Sequence, residues 1–268
     1  GERGQQAARG MFPVFPAETY HVLNYSPDLA TSVDVHQMTV IPSKGSSRGR
    51  PGRDSGMRLI SVNVGLPRPV PYQDGIVSTG IYKEPVAGPV WVRRLNLDGD
   101  GQADLKVHGG EHKAVYAYPL EHYAFWSREL GRNDLGYGQF GENLTVEGLL
   151  EEQVNIGDVY RIGKALLQVS QPRAPCFKLG IRMGDAGFVA RFAAANRTGF
   201  YLRVLEEGRV AAGDAIVLAE RAKDSVSVSS AFRLRHGTGG TRAEYERAAR
   251  VSAFSPGWRM AFEKRLAD

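Results

Sequence analysis

The sequence predicts a mainly β protein of the α+β class that ends in a small helical unit. Between residue 57 and about residue 220, short apolar runs alternate with turns that contain glycine or proline. Two segments of this region, 120–130 and 185–195, instead carry apolar residues at helical spacing. After about residue 222 the pattern changes to short helices. Many short strands with few helices predict a closed or partly closed sheet.

The expected strands are bounded by turn residues. Their apolar residues alternate or run continuously over a few positions, as in half-buried and buried strands. A Gly163-Lys164 pair separates two of them and predicts a hairpin. The predicted strands are 57–65, 75–83, 88–95, 155–163, 165–170 and 201–210.

The C-terminal part predicts three helices, over 229–235, 242–250 and 256–266. Ser255 precedes Pro256, an arrangement typical of a helix start. We expect a β domain over 57–222 and a three-helix domain over 223–268.

The N-terminal extension differs in composition from the rest of the chain. Residues 1–56 end in a stretch rich in Gly, Ser, Arg and Pro, which is typical of a flexible linker. Met57 directly precedes the first strand and is a candidate for the natural start.

The composition is that of an ordinary globular protein with a basic balance. The net charge is +5, and the basic residues are scattered, which favours an anionic small ligand and argues against specific nucleic-acid binding. A single cysteine suits a reducing compartment, so we expect a cytoplasmic protein. We expect neither a membrane span nor a secretory signal, because no long apolar stretch occurs. The sequence leaves open whether the protein forms a homodimer.

The one cysteine, Cys176, is the first candidate for chemistry. Arg173 and Lys178 flank it, and nearby positive charge favours the thiolate, which attacks electrophiles and binds soft metals. Pro172 and Pro175 argue against a helix here. The alternative is a small buried hydrophobic residue.

The segment 106–113 contains two glycines among cationic side chains. Gly109 and Gly110 can expose backbone amides beside His108, His112 and Lys113, which predicts an anion site. The histidines are four residues apart, as in helical metal sites, but the Gly-Gly pair disfavours a helix and therefore zinc. A tight turn with surface histidines is the alternative.

Four further segments offer polar residues. Lys83 lies at a strand end, and Asn143 could order a turn or contact a ligand. Arg203 could clamp an anion or form a salt bridge at the rim. The loop 98–104 has acids at alternate positions like a calcium loop, but its twelfth position is Gly109, so we expect a solvated turn.

Together these segments resemble the MOSC family, named for the molybdenum cofactor sulfurase C-terminal domain, and within it the YiiM-like subgroup. The resemblance covers roughly residue 57 to the C-terminus, and the C-terminal helices resemble the three-helix domain that often follows in this subgroup. Its motifs are Val107-His108-Gly109-Gly110 with Lys113-Ala114-Val115, Tyr118-Pro119-Leu120-Glu121-His122-Tyr123, Gly141-Glu142-Asn143-Leu144-Thr145, Ile156-Gly157-Asp158, Gln171-Pro172-Arg173 with Pro175-Cys176, and Ser255-Pro256-Gly257-Trp258-Arg259.

The resemblance implies a β-barrel domain that binds a molybdenum–pterin cofactor, with Cys176 as ligand to the metal. It also implies reduction of N-hydroxylated bases, a detoxifying reaction. His108 or His112 is a reasonable proton source for it, because the unperturbed pKa of histidine lies near neutrality. A familiar variant of the Gly-Gly motif has Pro-Asp at the positions of Glu111 and His112. The expected cofactor-binding residues are Lys83, His108, Gly109, Gly110, Lys113, Asn143, Arg173, Lys178 and Arg203.

The leading hypothesis is therefore a molybdenum enzyme that reduces small N-hydroxylated compounds. The chain has neither a dinucleotide fingerprint nor a cysteine cluster for iron–sulfur, so a separate flavin or iron–sulfur reductase would supply electrons. Two alternatives are a sulfur carrier that uses a Cys176 persulfide and a non-catalytic cofactor-binding protein.

Overall fold

The computed structural model describes residues 56–105, 108–237 and 239–267. The expectation of a flexible extension concerns residues that, except for Gly56, lie outside the described ones. So do Lys106 and Val107 of the Gly-Gly segment.

Twelve strands form within the described residues. They are β1 (Arg58–Val64), β2 (Arg68–Tyr72), β3 (Gly75–Thr79), β4 (Glu84–Pro85), β5 (Val90–Val92), β6 (Val115–Pro119), β7 (Leu144–Glu147), β8 (Val159–Ile162), β9 (Ala165–Pro172), β10 (Phe200–Glu206), β11 (Gly208–Val210) and β12 (Ile216–Glu220).

Eight strands make the main sheet, in the order β12-β8-β9-β10-β6-β7-β1-β4. Its pairs are antiparallel except for β6 and β7, which run parallel. Two small ladders, β5 with β11 and β2 with β3, lie beside it. The hairpin around Gly163-Lys164 is confirmed, because β8 pairs with β9 across that turn.

The expected barrel is corrected to an open sheet. The two edges of the main sheet are β12 and β4, and no ladder joins them among the described strands. A few backbone contacts bring the start of β1 towards β12, including an isolated bridge between Arg58 and Ala215 and a 3.1 Å bond from Ile216 N to Met57 O. These contacts involve the start of β1, whereas β4 pairs with its far end, at Asn63 and Val64.

Three predicted strands are shorter than the sequence indicates, and the run 201–210 is divided between β10 and β11. The run 155–163 forms a strand only over Val159–Ile162, the run 75–83 ends as a strand at Thr79, and the run 88–95 forms a strand only over Val90–Val92. The second of these stops before Gly80, and the third stops before the bend that follows Val92. Apolar alternation therefore marked the strands but not their ends.

Six α-helices are described: α1 (Glu121–Leu130), α2 (Phe177–Met183), α3 (Phe188–Ala194), α4 (Val228–His236), α5 (Arg242–Arg250) and α6 (Pro256–Ala267). The predicted helices in 120–130, 185–195 and the C-terminal part are confirmed. The prediction of no helix beside Cys176 is wrong. The two prolines lie before the helix, in the extended segment that ends at Cys176, so neither interrupts the hydrogen bonds of α2.

Strand β6 shows how the sheet divides two cores, because all five of its residues are buried. Val115 and Ala117 point into the core that the sheet shares with the C-terminal helices. Tyr116 and Tyr118 point to the other face, into an aromatic core with residues of α1, α2 and α3. Within the described residues no helix is long and apolar enough to cross a membrane.

Candidate functional site

A cleft opens at one end of the main sheet, where the chain leaves β3 and β9 and enters β6 and β7. It encloses about 650 Å³, part of it open to solvent. Its lining is Thr79, Gly80, Ile81, Lys83, Asp100, Gly101, Gln102, Ala103, His108, Lys113, Tyr116, Gly141, Asn143, Arg173, Ala174, Cys176, Lys178 and Tyr201.

Cys176 lines this cleft at the point where β9 gives way to α2. Its backbone is extended, with φ −128° and ψ 171°, and its carbonyl accepts the Leu179 N–H at 2.9 Å. The residue is partly buried and its thiol is free. The extended backbone before α2 therefore holds a single thiol at the cleft wall.

Arg173 supplies a buried positive charge three residues before the cysteine. Only 5% of the residue is exposed, and its guanidinium lies 5.0 Å from the ring centroid of Tyr116. Its Nη1 atom is inaccessible to solvent and has no hydrogen-bond partner among the described residues. An unmatched guanidinium donor of this kind fits a ligand oxyanion.

The cations of the cleft change the protonation of His108. Burial, together with the positive charges of Lys178 and Lys113, lowers the pKa of His108 to about 4. Burial is also the main cause of a lowered pKa at Lys113. His108 is therefore neutral near pH 7 in the free cleft, and a bound anion would raise its pKa.

The expected solvated turn at 98–104 is wrong at Asp100, which is buried at 7% exposure. Its Oδ1 accepts a hydrogen bond from Lys83 Nζ, forming a buried ion pair, and one from the Gly65 N–H at 2.9 Å. Its Oδ2 accepts the Asn143 Nδ2 donor at 2.9 Å. The loop is folded inward because the Lys83 ammonium needs a counter-charge in a buried position.

Asn143 is occupied by the protein itself. Its Oδ1 accepts the Tyr116 N–H at 3.1 Å, while its Nδ2 donates to Asp100. Of the two interpretations left open for Asn143, the side-chain bond that orders the backbone is the one these contacts support. Lys83 and Asn143 thus build one wall of the cleft.

Close backbone approach explains the cleft glycine Gly80. A Cβ atom on Gly80 would lie 2.3 Å from the carbonyl oxygen of Gly101. No side chain fits that spacing, so glycine is required for the strand β3 exit and the Asp100 loop to touch.

The structure brings together six of the predicted side chains, namely Lys83, His108, Lys113, Arg173, Cys176 and Lys178, with Asn143 behind them. His112, Gly109, Gly110 and Arg203 are not among the lining residues. Arg203 donates from Nε to Gln168 Oε1 at 2.7 Å, and the His112 carbonyl accepts the Ser170 hydroxyl at 2.6 Å. The predicted roles of these four residues stay predictions.

Asp100, Tyr116 and Tyr201 are among the lining residues that were not predicted. Tyr116 and Tyr201 lie on the paired strands β6 and β10, where they are register partners. Alternation along β10 puts Tyr201 and Arg203 on one face, so Arg203 did mark the correct face of the strand. Predicting that the two tyrosines line the cleft would have required the pairing register of β6 and β10.

Family models match most of the described chain. The MOSC domain model matches residues 104–217, and the model of the YiiM-like, 3-alpha helix domain matches residues 226–268. The protein YiiM of Escherichia coli is 35% identical over 196 residues, which are 72% of this chain and 87% of YiiM. This chain belongs to the YiiM-like MOSC family.

Other comparisons agree with this membership. The uncharacterized protein YflK of Bacillus subtilis is 45% identical over 77% of this chain and 93% of its own length. The crystal structure of YiiM from Geobacillus stearothermophilus has a TM-score of 0.66 at 37% identity, and covers 78% of this chain and 99% of that one. The family resemblance of the motifs and the α+β fold with a three-helix domain are both confirmed.

A fungal relative carries a functional name. A protein called "Reductase" from Gibberella moniliformis is 37% identical over 60% of this chain, but the match spans only 29% of that longer protein.

Proposed function

We propose that this protein is a molybdenum-cofactor-dependent reductase of N-hydroxylated compounds, such as N-hydroxylated purine bases. The observation that carries the proposal is the pairing, in one cleft, of a free thiol with a buried guanidinium whose Nη1 atom has no hydrogen-bond partner among the described residues. Membership of the MOSC family and the name of the fungal relative support an oxidoreductase.

The residues of the cleft fit such a cofactor. The cofactor's phosphate needs cationic donors, and Arg173 Nη1 is a buried donor with no hydrogen-bond partner among the described residues. Lys113 and Lys178 add positive charge, and Cys176 offers the soft sulfur that molybdenum prefers. No group of three or more His, Cys, Asp or Glu that could hold a metal occurs in the described ranges, which suits a metal carried by an organic ligand.

When bound, the cofactor supplies the two electrons that convert an N-hydroxyl group and two protons into an amine and water. Cys176 would hold the metal, while Arg173, Lys113 and Lys178 would hold the anionic part. The Lys83–Asp100 pair and Asn143 would keep the facing wall in place, since their own polar groups are already matched.

His108 lines the cleft with these cations and would be the proton-handling group. Because it is neutral near pH 7 in the free cleft, its protonation would depend on the negative charge of the bound cofactor. His112 is outside the lining and is the weaker candidate for this role.

The electron donor is proposed to be a separate flavin or iron–sulfur reductase. The sequence contains one cysteine, which cannot hold an iron–sulfur cluster. Turnover in vitro should therefore need an added reductant.

The test is the molybdenum and pterin content of protein made in a cofactor-competent host. We expect near-stoichiometric cofactor in the wild type and its loss in Cys176→Ser. Phe177→Leu is the matched control, because Phe177 follows the cysteine in α2 but does not line the cleft. The loaded wild type should then reduce an N-hydroxylated purine with a chemical reductant.

Other results would change the proposal. Cofactor-free wild type, beside a working molybdenum enzyme from the same host, would contradict it. A persulfide on Cys176 would then indicate a sulfur carrier. Tight cofactor binding with no turnover would indicate a non-catalytic cofactor-binding protein.

A further inference from the structure

A buried acid–base pair lies behind the cleft, outside its lining. His122 of α1 and Glu151 of the loop after β7 are each about 1% exposed, and their Nε2 and Oε2 atoms are 2.7 Å apart. Buried charged groups are costly unless they are fully hydrogen-bonded. The free-energy cost of burying this pair indicates that it has a specific role.

The hydrogen bonds of the pair run to one loop, residues 197–199. Glu151 Oε1 accepts the Gly199 N–H at 2.7 Å. Arg197 Nη1 lies 3.1 Å from His122 Nδ1. The two residues of the pair therefore contact the same three-residue segment, His122 at Arg197 and Glu151 at Gly199.

The same segment holds two parts of the cleft. The Tyr116 hydroxyl donates to the Thr198 carbonyl at 2.7 Å, and the Arg173 N–H donates to the Gly199 carbonyl at 3.2 Å. Tyr116 and Arg173 both line the cleft, and the Arg173 guanidinium lies over the Tyr116 ring. A continuous chain of hydrogen bonds thus joins the buried pair to the Tyr116 hydroxyl and to the backbone N–H of Arg173, whose guanidinium lies over the Tyr116 ring.

We propose that Glu151 and His122 are positioning residues that fix Arg173 and Tyr116 in the geometry in which the cleft binds an anion. This inference rests on the proposed function only in taking the cleft as an anion site. Neither residue touches the cleft contents, so they act through residues 197–199.

The hydrogen-bond donors and acceptors of the pair predict which substitutions should disturb it. A guanidinium can only donate, so His122 Nδ1 must accept, and the ring proton must lie on Nε2 and be donated to Glu151. Both oxygens of Glu151 then accept, one from His122 and one from Gly199. A glutamine at position 151 would place an amide NH₂ where an acceptor is needed. In either orientation of the amide, this NH₂ donor would face another N–H donor.

The test uses the single cysteine as a reporter in the full chain. The rate at which iodoacetamide alkylates Cys176 is measured against the concentration of inorganic pyrophosphate, and the half-protecting concentration reports anion binding in the cleft. For Glu151→Gln and His122→Leu we expect this concentration to rise by about tenfold or more, the size expected for one disturbed charge-assisted hydrogen bond.

Two comparison variants separate positioning from general destabilisation. Asp158→Asn removes another fully buried carboxylate, which accepts the Asn155 and Ala222 N–H groups and does not line the cleft. It should destabilise the fold but leave pyrophosphate protection unchanged. His122→Gln keeps one donor and one acceptor, and should retain protection within about threefold of wild type.

Equal protection in wild type, Glu151→Gln and His122→Leu would overturn the proposal, as would an equal loss in Asp158→Asn. If pyrophosphate does not protect the wild type, the proposed function is weakened, and amide exchange then decides the positioning. Selectively faster exchange at Gly199 and Arg173 in Glu151→Gln would support it. Uniform acceleration, as in Asp158→Asn, would overturn it.

Discussion

Single residues in the cleft differ sharply in what they have free to offer a ligand. Lys83, Asp100 and Asn143 satisfy one another, while Arg173 keeps an unpartnered buried Nη1. Residue type alone ranked Lys83 and Arg173 together as cations. Their hydrogen-bond partners separate a wall-building residue from a ligand-binding one.

Removing the Arg173 guanidinium should weaken anion binding more than removing any exposed arginine. We expect Arg173→Met to raise the pyrophosphate concentration that half-protects Cys176 by about tenfold or more, because a charge-assisted hydrogen bond is lost. Arg128→Met, on the exposed side of α1, is the control. Unchanged protection in Arg173→Met would show that the cleft does not use this group.

His108 should make stability depend on pH. Its pKa is about 4 in the folded chain, against about 6.5 when unfolded. Between these values the unfolded chain binds the proton and the folded chain does not, so the stabilisation present above about pH 6.5 is lost as the pH falls towards 4.

Urea unfolding at a series of pH values from 7.5 to 4 tests this, with His108→Gln expected to flatten the fall. His236 has a similarly lowered pKa of about 4, through burial and Arg235, so His236→Gln should flatten it as well. Saturating pyrophosphate should reduce the effect of His108 but not that of His236. Identical pH profiles for wild type and His108→Gln would contradict the assignment.

At the scale of elements, the cleft depends on how strands enter and leave the sheet. Strand β9 continues into an extended segment that ends at Cys176, and β10 starts directly after residues 197–199. The hairpin, the C-terminal helices and α1 followed from local pattern. The helix α2 could not be predicted in this way, because the sequence does not distinguish prolines that precede a helix from prolines that prevent a helix.

Gly199 is an element junction at which a side chain should not be tolerated. Its φ is +66°, and a Cβ atom there would lie 2.4 Å from the Ala117 carbonyl oxygen, in β6. Gly199→Ala should therefore cost well over the roughly 1–2 kcal/mol typical of a left-handed non-glycine residue.

Gly184 at the end of α2 is the matched control for that substitution. It has a nearly equal φ of +67°, but a Cβ atom at this position would have nothing within 4 Å. Gly184→Ala should show the conformational cost alone. Equal losses in urea unfolding of the two variants would mean that the close approach to β6 is not a constraint.

At the scale of the whole molecule, the β domain and the three helices share one core. The same cluster of buried residues includes Val146 and Leu167 of the sheet and Phe232, Trp258 and Phe262 of the helices. At the predicted boundary between 222 and 223 the secondary structure changes, while the apolar interior is continuous.

This continuity predicts that damage in a helix reaches the sheet. Phe232→Ala in α4 should cost about 3–5 kcal/mol, as for other buried phenylalanines. In a Trp258→Phe background the remaining tryptophans, Trp91 and Trp126, lie in the β domain and report on it by fluorescence. We expect Phe232→Ala to lower the unfolding midpoint measured by this fluorescence together with the midpoint measured by helical circular dichroism.

Met260→Ala is the control for this measurement, since Met260 is 64% exposed on α6. Its midpoints should stay close to the parent values. A fall in the circular dichroism midpoint without a fall in the tryptophan midpoint would show two independent units.

The sequence by itself determined the mostly β class, the three C-terminal helices, the family, and most of the cationic residues around Cys176. These depend on local periodicity, turn chemistry and ordered motifs, which the chain carries in any conformation. Only the tertiary structure decided that the sheet stays open, that Lys83 is matched by Asp100, and that Arg203 and His112 lie outside the cleft lining. The physical reason is that burial and hydrogen-bond partners are set by residues distant in sequence, as when Glu151 and His122 reach Arg173 through residues 197–199.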